Sequence, residues 1–404
     1  MTRRRAAVVA GLGTAQTLAW ASSYYLPAVL AAPMARELGT GAPTVFAAFS
    51  GALVVSALVG PVAGRAIDRH GGRPLLIATS LLFAAALAAL GLAASVATMA
   101  AAWALMGLAM GTGLYEAAFA TLVRLYGHGS RNTITGITLI AGFASTVGWP
   151  LSAWMEAQAG WRGACFGWAA LHLLIGLPLN AALPKAKATG PETPGNTGPA
   201  ATDPADPSSP ATTAASVGRW TGALLAFVFA ATWFISTAMA AHLPRMLQAA
   251  GASLAAAVGV GALIGPAQVA GRLLEFGFLR RVHPLLSARL AALAHPAGAA
   301  TLLLAGPVAA PVFAVLHGAG NGILTIAKGT LPLVLFGPQG YGARQGWLML
   351  PARVAQAMAP FLFGLALDRL GAPAMWLSAA LGMAAFVALM AVKAQSTRAG
   401  MLRR

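Results

Sequence analysis

The groups in this chain that can do chemistry are few, and they lie where charge is expensive. Glu116, Arg272, Lys328 and Arg353 each fall inside a long apolar run. An ionisable side chain there costs about 2.5–3.5 kcal/mol on insertion scales, so each calls for a reason. Counted at 1.5 Å per residue from the helix ends, all four lie roughly 9–13 Å deep, which permits one shared site. Lys328 is the most informative, because the chain has 22 Arg but only four Lys, and the other three lie in the linker or the C-terminal tail. His317, Asn321, Thr325 and Lys328 recur at i, i+4, i+8 and i+11, one narrow helical face. Such a stripe lines a water-filled cavity or forms a hydrogen-bond seam between helices. Gln16, Trp20, Ser23, Tyr24 and Pro27 make a similar stripe, open to the same two readings or to aromatic packing. Arg272, Lys328, Arg353, Asn321, His317, Gln16 and Tyr24 are therefore the candidate ligands of a solute. Three cations favour a small organic anion, bound bidentately by Arg and as a point charge by Lys. Glu116 is a candidate for a coupling proton or a salt bridge. His172 and His295 stand alone on apolar stretches and read as core residues.

The elements that must hold these groups follow from composition. Of 404 residues, 58% are hydrophobic and only 9% charged, against about 25% charged in soluble domains. That excludes a soluble enzyme, a disordered chain and a nucleic-acid binder, which needs solvated basic faces. The single cysteine, Cys165, excludes a disulfide framework and a multi-thiolate metal site. No metal and no cofactor is expected, and no Gly-x-x-x-x-Gly-Lys-Ser/Thr loop is present to bind ATP. A membrane helix needs roughly 20 mostly apolar residues. Twelve such stretches occur, near 6–32, 44–67, 75–95, 99–124, 134–156, 163–183, 220–242, 254–278, 285–305, 309–336, 345–367 and 373–393. Residues 184–219 carry seven prolines and read as a flexible cytoplasmic linker between two six-helix halves, 1–183 and 220–404. Placing both termini in the cytoplasm puts 19 loop and tail bases inside and 4 outside, as expected of a multi-pass protein of the bacterial inner membrane.

The halves echo each other. Leu125, Gly127, Gly136 and Pro150 correspond, 210 residues on, to Leu335, Gly337, Gly346 and Pro360, and Val-Ala-Gly-Arg occurs at 62–65 and 269–272. Paired repeats around a central site are the usual build of secondary transporters. The loop Gly64-Arg65-Ala66-Ile67-Asp68-Arg69-His70-Gly71-Gly72-Arg73 resembles the signature between the second and third helices of the major facilitator superfamily. Its Gly64 allows two helix ends to approach, Asp68 is suited to meet a neighbouring helix N-terminus, and Arg69 and Arg73 suit the anionic leaflet. The second copy is degenerate, with Arg281 where Asp is expected, and the antiporter signature of the fifth helix is interrupted at Gly148-Trp149-Pro150. Gly160-Trp161-Arg162 and Arg272 are similar to the monocarboxylate and oxalate–formate branch, although Gln268 stands where that branch has an acid. Arg272 itself has two alignments. One makes it a copy of Arg65 paired with Glu275; the other sets it deeper, facing the cavity.

The resemblance implies an all-α membrane protein with twelve transmembrane helices in two six-helix halves. It implies a secondary active transporter that moves a small solute by alternating access as a monomer in the bilayer, with a possible coupling proton. Gly64, Asp68, Arg69, Arg73 and Glu116 would then serve coupling or gating. The alternative is a multidrug or toxic-compound efflux transporter, whose site would be wide, aromatic and acidic.

Overall fold

The computed structural model describes residues 3–185, 210–279 and 282–392. Most of the expected linker, 186–209, lies outside the described residues, as do Arg280, Arg281 and the bases from Lys393 onward. The described residues are almost entirely helical and contain no strand. The first span is α1 (Arg3–Ser22) continued by α2 (Pro27–Glu37), and the second and third are α3 (Ala42–His70) and α4 (Gly72–Gly91). The fourth joins α5 (Val96–Gly113) to α6 (Tyr115–Tyr126), and the fifth begins as α7 (Arg131–Ala141) and enters α8 (Ala144–Leu171). Gly160, at φ 69°, turns the chain inside α8, so its second part starts the sixth span, which ends in α9 (Leu177–Ala181). The second half follows as α10 (Pro210–Ala249), α11 (Leu254–Gly277), α12 (Pro284–Ala305), α13 (Ala310–Phe336), α14 (Tyr341–Leu370) and α15 (Ala374–Ala391).

The ends of these helices are set by local chemistry. Ser95 and Thr98 form a reciprocal capping box that starts α5. Gly71, at φ 80°, ends α3 and opens α4 at once. Among the described residues, seven helical runs are long and apolar enough to cross a membrane, two of them long enough to contain several spans. The outer surface carries Leu58, Phe361, Leu304 and Val308, all more than three-fifths exposed. Apolar exposure on that scale suits lipid rather than water.

Four spans are not continuous helices. The first breaks at 23–26 before Pro27, the fourth at Leu114, the fifth at Gly142 and Phe143, and the sixth passes through a π-helical turn at His172–Gly176. The Leu114 break follows Gly111-Thr112-Gly113, where the apolar stretch at 99–124 weakens, but in a chain with 47 Gly that local sequence does not single out a break.

The halves meet mainly toward one end, here called the base, which carries the Gly64–Arg73 loop. The inner segments α6 and α7 pack on α11, α13 and α14 across the divide, and α3 packs on α14. The outer segments α2, α5 and α8 pack mainly on helices of their own half. The opposite end is here called the mouth.

Candidate solute-binding site between the halves

The break at Leu114 creates the first feature of the site. Leu114 is extended (φ −79°, ψ −166°), so the next helix restarts and Glu116 falls in its first turn. A helix N-terminus favours a carboxylate there. The carbonyl of Gly113, left without its helical partner, accepts the side-chain amide of Gln16 at 2.6 Å. Gln16 thereby fastens α1 to the break rather than offering that amide to a solute.

Glu116 is held by the other half. Arg353 Nη2 donates to both its oxygens, at 3.0 and 2.9 Å, and Arg353 Nη1 donates to Gln356 at 3.1 Å. The arginine side chain is 3% exposed and the glutamate 17%. The Arg353 guanidinium lies 5.8 Å from the Trp20 ring and 5.3 Å from that of Trp233. Lys328 Nζ stands 4.1 Å over Trp233. Trp20 and Trp233 are parallel to within 5°, with centroids 6.3 Å apart. Tyr24, on the first-span break, meets Trp20, Tyr25, Phe49 and Trp233 edge-on and reaches Thr237 at 3.5 Å. Tyr115 packs on Trp20 at 4.9 Å and stacks on Phe119.

Arg272 enters from α11. Its Nη1 lies where a side chain at Gly142 would begin, so the missing Cβ of Gly142 makes the slot for the guanidinium. Arg272 is buried, and its Nε and Nη1 have no hydrogen-bond partner. Its charge acts on Tyr25, Tyr115 and Lys328, which ties it electrostatically to the aromatic cluster. The pairing of Arg272 with Glu275 is not formed. Glu275 is instead buried and bonded to Arg131 at 3.2 Å. Arg131 further donates to the Val282 and Leu279 carbonyls, so one arginine of the first half grips the end of α11 at the base.

The polar stripe of α13 divides. Lys328 faces the cluster, but His317 does not reach it. His317 Nδ1 meets His295 Nδ1 at 3.0 Å, and His295 Nε2 meets Ser378 at 3.2 Å. Ser378 gives its proton to the Met375 carbonyl, so it accepts from His295, which in turn accepts from His317. His295 is therefore not a lone core histidine, as the sequence suggested. Asn321 donates to Ser236 on α10, and with Thr232, His295 and His317 it lines a small cavity inside the second half. Thr325 bonds back to the carbonyl of Asn321.

At the base, Asp68 accepts the backbone N–H groups of Gly342 at 2.9 Å and Ala343 at 2.8 Å, capping α14 from the other half. Gly64 allows this: a Cβ there would collide with the Gly342 carbonyl. Arg69 is exposed and Arg73 half-buried. At the mouth, Trp161 and Arg162 both donate to Glu37, at 2.5 and 2.8 Å, and Arg162 also bonds the Gly91 carbonyl at 2.7 Å. The Gly160-Trp161-Arg162 motif is thus a clip within the first half. The arginine beside it holds the Glu37 carboxyl below the usual carboxylate range.

Sequence reasoning missed Trp233, Tyr115, the Gly142 slot and the Arg131–Glu275 pair. One signal was available for the first: Trp20 and Trp233 are 213 residues apart, and so are Tyr24 and Thr237.

Comparison with known proteins agrees with this architecture. The profile of the Major Facilitator Superfamily matches residues 12–350. The E. coli fucose:proton symporter superposes with a TM-score of 0.71 at 15% identity, over 95% of this chain and 97% of its own. A proton:xylose symporter bound to 6-bromo-6-deoxy-D-glucose gives 0.67 at 14% identity, over 94% and 93%. The human organic anion transporter MFSD10 gives 0.63 at 17% identity, over 96% and 100%. No curated protein matches the sequence.

Proposed function

The chain belongs to the major facilitator superfamily, and from that premise we propose that it is a secondary active transporter of a small organic anion. The observation that carries this reading is Arg272, a buried cation whose Nε and Nη1 have no protein partner. Buried donors left unmet are costly, and a carboxylate that accepts from them offsets that cost. Lys328, close to the same aromatic cluster, supplies a second positive charge. Arg353 differs, because Glu116 already neutralises it within the protein. Glu116 is the proposed carrier of a coupling proton: protonated, it would release Arg353 and loosen one contact between the halves. Within the superfamily, Arg272 and Gly160-Trp161-Arg162 support a place near the monocarboxylate-like branch. The proposed setting is the bacterial inner membrane, with the base and both termini toward the cytoplasm.

The efflux reading asks for an acid free to meet a cationic drug, and both oxygens of Glu116 are engaged by Arg353. The two readings separate in a binding screen of the purified protein. A carboxylate such as acetate or benzoate should raise the melting temperature, and Arg272→Gln should abolish the rise. Stabilisation by lipophilic cations alone would overturn the anion reading.

A further inference from the structure

Between the cationic groups the wall of the site is rich in aromatic rings. Trp20, on the first span, and Trp233, on the seventh, face each other across the two halves. Their planes are parallel within 5°, yet their centroids are 6.3 Å apart. That is near the outer limit of about 7 Å at which ring pairs still attract, so separating them costs little. Both indole N–H groups are buried without a hydrogen-bond partner. Tyr24 stands edge-on to both indoles, and Tyr115 packs on Trp20. A flat apolar body would find indole faces on both sides.

We propose that the anion carries a planar aromatic body, held between Trp20 and Trp233, with its carboxylate turned to Lys328 and Arg272. The inference rests on the anion reading above and narrows it. Each half supplies one indole, so the body of the solute itself joins the halves, while the charge fixes its direction. Aromatic faces discriminate a flat ring from a puckered one of the same size, because only the flat ring can stack.

The test compares three probes by calorimetric titration of the full-length protein in nanodiscs: benzoate, cyclohexanecarboxylate and neutral benzamide. Benzoate should bind about tenfold more tightly than cyclohexanecarboxylate, the size expected of two ring contacts, and benzamide should bind far more weakly than benzoate. Trp233→Leu should bring the two carboxylates to equal affinity, and Trp233→Phe should restore the preference. Equal binding of both carboxylates by the parent protein overturns the aromatic inference and leaves the anion reading standing. Benzamide binding as tightly as benzoate, or no binding of either carboxylate, overturns the anion reading and the inference with it. A preference that survives Trp233→Leu places the recognition elsewhere and overturns the inference too. The parent protein alone decides the first comparison if the Leu variant does not fold.

Discussion

Two arginines that share a helical membrane half have opposite circumstances. Arg353 is satisfied by Glu116 and Gln356, whereas Arg272 is not satisfied at Nε and Nη1. Removing them should therefore do different things. Arg353→Gln leaves the half-buried Glu116 beside a neutral group, so it should destabilise the protein by about 1–3 kcal/mol. Adding Glu116→Gln should recover most of that loss, read as melting temperature in a double-mutant cycle. Arg272→Gln should instead leave stability unchanged or raised while lowering affinity for a bound carboxylate by at least about tenfold, the worth of a charge-assisted hydrogen bond. Gly142→Ala is the complementary test. Its added methyl meets Arg272 Nη1, so affinity should fall although the guanidinium is still present. An affinity equal to that of the parent would show that Arg272 relaxes out of the slot freely. At this scale the sequence marked the embedded charges, because an ion in an apolar run is visible in one dimension. It left their partners open: Glu116 and Arg353 are 237 residues apart, and nothing local says that they touch.

Helix ends carry the next set of consequences. Asp68 caps α14 with two backbone hydrogen bonds from the other half, and Asn retains only one oxygen to accept them. Asp68→Asn should slow transport while membrane insertion is kept; unchanged transport kinetics would make the cap a passive contact. At the start of α12, His283 Nδ1 accepts the N–H of Leu285 at 3.2 Å, an N-cap that needs the ring nitrogen unprotonated. Burial, with Arg131 and Arg289 nearby, lowers its affinity for a proton below the ordinary value. The folded state then binds fewer protons than the unfolded one, so stability from this group is complete above about pH 6.5 and declines as the pH falls below it. His283→Asn, which caps without titrating, should flatten that part of the melting-temperature profile. Element existence was legible from hydropathy, since twelve apolar stretches became twelve spans. The breaks were marked only by Pro27 and by the glycines just before Leu114 and Phe143, and with 47 Gly in the chain a glycine does not single out a break.

Across the whole molecule, the cross-half contacts gather at the base. Arg131 holds Glu275 and two carbonyls of the opposite half, Asp68 holds α14, and the outer segments stay within their own halves. The site should accordingly be reached from the mouth. Cys165 is fully buried, so a single introduced thiol can report this. Tyr24→Cys should react quickly with a charged maleimide added from the mouth side, and adding Arg131→Ala should slow that reaction by releasing the base. Equal rates in the two proteins would show that Arg131 does not bias the states. The two-half organisation was legible from the 210-residue echo, but the state in which the halves rest was not, since both states use one sequence.

The glycine contact between α3 and α14 has a mechanical meaning. Where Gly64 meets Gly342, backbone lies on backbone, and no side chain of one helix is keyed into a groove of the other. Two such cylinders behave as a bearing: they roll about their line of contact without any interlocked tooth to lift. Between these two helices the pin is the Asp68 carboxylate, which withdraws without repacking the glycine faces. Motion at the base should therefore have few intermediate stops.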